Sequence, residues 1–200
     1  MTDRRLPNWQ EFYRDRAAGE LPWYYPELDP DLESALARDV ITGGLALDLG
    51  CGPGTQAVAL AERGFHVTAT DVSADAIEQA RALSQARGVK IEFAVDDVMQ
   101  SRLEHAFDVV FDRGCYHVFA PAERTGYVAT LAKLVRPGGT LFLKCFSDEQ
   151  PGAVGPYQSH PDEVRAVFGE VFEVVSIVRT IYQGTLAHPP KALFCTLHRR

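Results

Sequence analysis

The 200-residue chain is poor in cysteine, with only four, and Cys51, Cys115, Cys145 and Cys195 stand far apart without a C-x-x-C pair or a neighbouring histidine cluster. That spacing excludes a disulfide scaffold and a zinc-type ligand set, so reduced thiols and no metal are expected. No apolar segment follows the charged start Met1-Thr2-Asp3-Arg4-Arg5-Leu6-Pro7, which argues against a signal peptide or membrane span and makes a cytoplasmic location the default. Basic residues are also short: 20 against 27 acidic ones give a net charge of −7, a poor match for a nucleic-acid backbone. Small molecules are the expected partners, and nothing calls for an assembly beyond a monomer or a weak homodimer. Repeats, low-complexity tracts and linkers are missing too, so residues 1–200 read as one domain, with 1–40 as an amino-terminal segment ahead of a core at 41–200.

What the chain does have is an apolar run, Leu45-Ala46-Leu47-Asp48-Leu49, broken by Gly50-Cys51-Gly52-Pro53-Gly54 and followed by Thr55-Gln56-Ala57-Val58-Ala59-Leu60. This reads as a buried strand, a tight turn and a helix. Gly50 and Gly52 carry no Cβ, so a ligand can lie against the backbone, facing the amides at the start of the next helix. The spacing is G-x-G-x-G rather than the G-x-G-x-x-G of dinucleotide sites, since Thr55 stands where the third glycine would be. Asp48, two positions before Gly50, would repel a pyrophosphate and attract an ammonium group. S-adenosylmethionine carries that ammonium and no phosphate.

A second strand, His66 to Asp71, places a carboxylate about twenty positions after Gly50, the usual offset for reaching ribose hydroxyls. Ser73 already caps the helix beginning at Ala74, which leaves Asp71 for the ribose. A third strand, Ile91 to Val95, ends in Asp96-Asp97-Val98. A fourth, Phe107 to Asp112, ends in Arg113-Gly114-Cys115-Tyr116-His117, where ligands of open α/β sheets wait beyond the strand ends. Arg113 either steers an anionic acceptor or pairs with Asp112. His117 is either a general base or a structural imidazole, and Cys115 has no neighbour in sequence to activate it. The runs Phe172 to Tyr182 and Ala192 to Leu197 have no helix between them and must therefore pair antiparallel.

These motifs resemble the class I S-adenosylmethionine-dependent methyltransferases. Asp48-Leu-Gly50-Cys-Gly52-Pro-Gly54 is similar to their first motif and Arg136-Pro-Gly-Gly139 to the turn before their fifth strand. The resemblance implies an α/β fold: a Rossmann-like seven-stranded sheet, mostly parallel, with the last strand antiparallel between the fifth and sixth and helices on both faces. It implies cofactor contacts from Asp48, Gly50, Gly52, Gly54, Thr55, Asp71 and Val72. Asp97, or its neighbour Asp96, would meet the adenine amino group with Val98 beside it, and Asp112 would lie at the next turn. Trp9-Gln-Glu-Phe-Tyr13 with Pro22-Trp23, and Asp112-Arg-Gly114, resemble segments of the thiopurine, thiol and halide methyltransferase group. By that likeness Trp9, Tyr13 and Trp23 form an aromatic helical lid over the cofactor, against the plainer reading of rings covering a sheet face or a dimer contact.

The expected activity is methyl transfer from S-adenosylmethionine, leaving S-adenosylhomocysteine, to sulfur or nitrogen of a small thiol or heterocycle. Arg113, Tyr116 and His117 are the candidate catalytic residues, and the long polar loop from Asp148 to Tyr157 would flank the acceptor with Tyr157 as a wall. O-methylation of a small aromatic acceptor would need a base and so bring in His117. The glycine turn and Asp71 also fit a nicotinamide oxidoreductase or a non-catalytic cofactor-binding regulator.

Overall fold

In a computed structural model, residues 7–152 and 156–200 are described. The start of the chain, residues 1–6, expected to carry no leader, and residues 153–155 of the polar loop lie outside them. Chain order gives α1 (Trp9–Arg14), α2 (Pro30–Arg38), β1 (Gly44–Leu49), α3 (Thr55–Glu62), β2 (Phe65–Asp71), α4 (Ala74–Arg87), β3 (Ile91–Val95) and β4 (Phe107–Arg113). These are followed by α5 (Arg124–Leu134), β5 (Val135–Phe146), α6 (Pro161–Phe168), β6 (Phe172–Ile181) and β7 (Lys191–Arg199).

The seven strands form a single sheet in the order β3-β2-β1-β4-β5-β7-β6. β7 runs antiparallel to both of its neighbours, β5 and β6, while the other pairs are parallel. This is the Rossmann-like methyltransferase sheet expected from the sequence. Alternation along the central strands splits the core in two. Leu47, Val110, Leu141, Leu143 and Leu193 face Tyr127, Leu131 and Phe168 on one side; Ala46, Val67, Val109, Phe111 and Phe142 face Leu32, Leu60, Ile77 and Ala80 on the other. Each fully buried Leu or Phe of these layers contributes roughly 1.5–3 kcal/mol.

Local chemistry starts the helices where the sequence says they should start. The Asn8 side chain accepts from the amides of Gln10 and Glu11, Asp29 from that of Asp31 ahead of Pro30, and Ser73 from that of Ala76. Two elements differ from expectation. Strand five begins at Val135, so Arg136-Pro137-Gly138-Gly139 is an irregularity inside it: Val135 pairs with Phe107, and the ladder resumes at Val109 with Thr140. Helix α6 is additional to the elements expected from sequence, because its eight residues follow the polar loop with only Val164 and Phe168 buried. Among the described residues, no helix is long and apolar enough to cross a membrane.

Candidate active site

The carboxyl ends of β1, β2, β3 and β4 open into a cavity of about 580 Å³. At its floor, the glycine turn leaves β1 with Gly50 at φ +68°, Gly52 at φ +52° and Gly54 at φ +80°, a left-handed run that L side chains resist. Asp71 holds this turn from below: its Oδ2 accepts from the Gly52 amide at 2.9 Å and its Oδ1 from the Ser73 amide at 2.9 Å. Burial raises the Asp71 pKa, and those amides oppose the shift. Asp48 is buried beside it with Oδ2 lacking any partner. Desolvation pushes its pKa up to about 7 against the Ala57 amide and the charge of Arg113. A buried carboxylate oxygen at a cavity wall with no donor of its own suits a bound ammonium group.

Of the residues expected to bind the cofactor, Trp9, Tyr13, Trp23, Asp48, Gly50, Gly52, Thr55, Asp71, Val72, Asp97 and Val98 line the cavity, as does Asp96. Gly54 and Asp112 do not line it, nor does Tyr116, a candidate catalytic residue, and the geometry shows what each does. A Cβ on Gly54 would stand 2.6 Å from the Ala80 Cβ, so this glycine lets α3 pack against α4. Asp112 is wholly buried and accepts from the amides of Gly114, Cys115 and Tyr116 at 2.9, 2.6 and 2.8 Å, and from the Tyr127 hydroxyl. Burial raises its pKa to about 6. Its carboxylate shapes the turn. Tyr116 packs in the core with its ring centroid 5.5 Å from those of Tyr127 and Phe168. Tyr157, expected as a pocket wall, is likewise absent from the lining, whereas Pro156 is part of it.

Arg113 and His117 both border the cavity but differ from their expected roles. Arg113 pairs with Asp29, not Asp112: Nε reaches Asp29 Oδ2 at 2.8 Å, and the two terminal nitrogens donate to the carbonyls of Trp23 and Gln183 at 2.9 and 2.6 Å. Its charge is spent on holding the amino-terminal segment to the sheet. His117 Nδ1 accepts from the Phe146 amide at 3.2 Å. An amide can only donate, so the ring proton of the neutral imidazole sits on Nε2 and that nitrogen cannot take another. Burial and the nearby Arg124 charge lower the His117 pKa to about 3. The general-base role therefore does not suit this imidazole. Cys115, also at the wall, keeps its proton, since burial and the Asp112 charge push its thiol up.

The roof is the aromatic segment. Trp9, Phe12, Tyr13 and Trp23 interlock, with Phe12 stacked on Trp23 at 5.4 Å and Trp9 edge-on to Trp23 at 6.1 Å. α1 is moored to the start of α4: Gln10 donates to Asp75 at 2.6 Å and accepts from the Ala74 amide at 2.8 Å, while Gln79 donates to the Tyr13 carbonyl at 2.7 Å. Beyond it, Lys144 is wholly buried and donates to Asp29, Asp31 and Gln183 at 2.6–2.9 Å. Gln56 accepts from the Asp29 amide at 2.8 Å and donates to the Glu27 carbonyl at 3.0 Å. Sequence reasoning missed Asp29, Gln56, Lys144 and Gln183. The readable signal was Lys144, a lone charge inside Leu141-Phe142-Leu143-Lys144-Cys145-Phe146 that must find acid partners once buried.

Comparison with known proteins agrees with this geometry. The profile of a methyltransferase domain matches residues 46–139. A probable thiol methyltransferase 2 of Arabidopsis thaliana is 28% identical over 181 residues, 89% of this chain and 79% of that protein. A 2-heptyl-1-hydroxyquinolin-4(1H)-one methyltransferase of Mycobacteroides abscessus is 25% identical over 88% of this chain and 81% of its own. A solved structure from work on the conversion of a disulfide bond into a thioacetal group during echinomycin biosynthesis superposes with a TM-score of 0.83 at 26% identity, covering 96% of this chain and 91% of that one. Sheet order, glycine turn and orphaned carboxylate together with these likenesses define the Rossmann-like methyltransferases of class I. The chain is an S-adenosylmethionine-dependent methyltransferase. A nicotinamide oxidoreductase accordingly does not stand.

Proposed function

We propose that this enzyme methylates sulfur or nitrogen of a small, largely apolar acceptor without a protein base: a thiol, whose proton passes to water, or a heterocycle whose ring nitrogen carries a free lone pair. Bound S-adenosylmethionine supplies a methyl group already activated by its sulfonium, so alignment and a dry pocket are what the chain must add. Asp48 offers its unpartnered Oδ2 to the ammonium, and Asp71 stands where the ribose hydroxyls would lie. Asp97 and Asp96 border the far end, where the adenine amino group would be met. Trp9, Tyr13 and Trp23 close the roof and exclude water, which strengthens every electrostatic contact inside.

One observation carries the choice of acceptor: the two groups best placed to help an acidic or anionic substrate are both occupied. Arg113 has committed its guanidinium to Asp29, Trp23 and Gln183, and His117 has its acceptor nitrogen filled by the Phe146 amide. Phe119, Phe146, Leu186 and Pro190 contribute apolar surface to the lining, alongside Glu123. A nucleophile that carries its own reactive lone pair fits such a pocket, and the overall charge of −7 supports a small molecule over a nucleic acid. The test is a screen with isotopically labelled methyl donor across thiols, N-heterocycles, halides, phenols and carboxylates. Label should enter thiols or heterocyclic nitrogens first. Exclusive labelling of phenols or carboxylates would overturn the reading.

A further inference from the structure

His117 has one nitrogen left over. Its Nδ1 is fixed by the Phe146 amide at 3.2 Å, and its own carbonyl accepts from the Tyr157 amide at 2.7 Å, so both ring and backbone are held. The ring packs against Phe146 at 4.6 Å and Tyr182 at 5.8 Å between centroids. Nε2, which must carry the proton, makes no hydrogen bond among the described residues, and the residue lies at the cavity wall. The Nε2 atom lies beside Gly114, which is at φ +108°; a Cβ added there would come within 3.2 Å of it and 3.4 Å of the Tyr182 hydroxyl. Any larger residue at 114 would crowd the front of this N–H.

A protonated ring nitrogen at a cavity wall, with its other nitrogen already committed, is a donor that a bound molecule's lone pair can meet. Beside it Phe146 and Tyr182 present their rings, and the Tyr182 hydroxyl already donates to the Lys144 carbonyl, so the oriented Nε2–H is an uncommitted donor of this wall. From this geometry we infer that His117 Nε2–H is a specificity-determining donor. It recognises a lone pair, such as a carbonyl oxygen or a ring nitrogen, placed next to the methylated atom on a flat, neutral acceptor. The inference rests on the methyltransferase reading of the cavity and deepens it by naming the second chemical feature the acceptor must carry. The imidazole here orients and selects, and the methyl transfer itself needs no proton from it.

The experiment compares two thiols of similar size, methyl 2-sulfanylbenzoate, whose ester carbonyl lies beside the sulfur, and 2-ethylbenzenethiol, which has no such acceptor. Wild-type enzyme should prefer the ester in kcat/KM by about tenfold, the value of one hydrogen bond of ordinary strength. His117→Phe should abolish that preference, read as the ratio of kcat/KM for the two thiols, and His117→Gln, which keeps an amide donor, should restore part of it. Calorimetric titration with S-adenosylhomocysteine shows that each variant still folds and binds. Independently of activity, nitrogen-15 NMR of histidine-labelled protein should show His117 with Nε2 protonated and Nδ1 bare. A proton on Nδ1, or an equal loss on both thiols in His117→Phe, would overturn the inference. Failure of the wild-type enzyme to methylate either thiol, with labelling confined to phenols, would instead overturn the proposed function.

Discussion

Asp48 is the residue whose environment most directly predicts behaviour. Burial raises its pKa to about 7, above the ordinary value of about 3.9. The folded protein therefore holds this proton more tightly than the unfolded chain, and Asp48 opposes folding progressively as pH climbs from about 4 to about 7. An ammonium group beside it favours the charged form, so cofactor binding should expel the proton. Affinity for S-adenosylhomocysteine should then weaken by up to about tenfold per unit as pH falls below about 7. Asp48→Asn should flatten that dependence. Calorimetry in buffers of different ionisation heat checks both points, and an unchanged slope in Asp48→Asn would remove the carboxylate from the account. Gly54 makes a second residue-scale prediction. Its φ of +80° and the 2.6 Å approach of an added Cβ to Ala80 should make Gly54→Ala cost about 2–4 kcal/mol in denaturant unfolding. Both positions stand out in the sequence by type and spacing, although the expected role of Gly54 is to meet the cofactor rather than a helix. A single chain does not reveal which face of a turn a glycine serves, because that depends on where α4 comes to lie.

At the scale of elements, the roof depends on a buried charge cluster drawn from four separate parts of the chain. Asp29 and Asp31 precede and begin α2, Arg113 ends β4, Lys144 lies in β5, and Gln183 follows β6. Their contacts pull the aromatic segment and the β6–β7 connection onto the ends of the strands. Gly184 approaches the Pro22 carbonyl so closely that a Cβ there would stand 2.1 Å from its oxygen, and Thr185 Oγ1 donates to the Leu21 carbonyl at 3.1 Å. Removing one member of a buried ion cluster leaves the others uncompensated. Lys144→Met should therefore lower stability by about 3–5 kcal/mol. Hydrogen exchange should rise together in residues 9–25 and 183–190, two stretches remote in sequence; acceleration of only one of them would show that the cluster does not join them. The strands and caps of this architecture were legible, because Ser73, Asn8 and the alternating apolar runs act locally. The cluster was not, since its pairs lie 39 to 115 positions apart and neither hydropathy nor spacing links them. Arg113 is visible in the sequence as a charge seeking an acid, yet its nearest acid, Asp112, is the one taken up by backbone amides.

For the whole molecule, the antiparallel entry of β7 between β5 and β6 places the β6–β7 connection beside the amino-terminal segment, so the first and last parts of the chain meet over the same cavity. The short link from Gln183 to Lys191 allowed the antiparallel pairing of β6 and β7 to be read from the sequence, the place of β7 beside β5 came only with the family resemblance, and the short helix α6 was hidden by its small buried face. Both tryptophans of the chain, Trp9 and Trp23, lie in that roof and line the cavity, so intrinsic tryptophan fluorescence reports on the site alone. S-adenosylhomocysteine should change this emission saturably and protect it from acrylamide quenching. Asp71→Ala, which removes both the proposed ribose contact and the anchor of the Gly52 amide, should shift the midpoint to at least about tenfold higher concentration, or about 1.4 kcal/mol. Calorimetry must yield the same midpoint for the optical change to report binding. Saturation by heat with no change in emission would mean that the aromatic segment stays apart from the cofactor, and the roof would then belong to the acceptor alone.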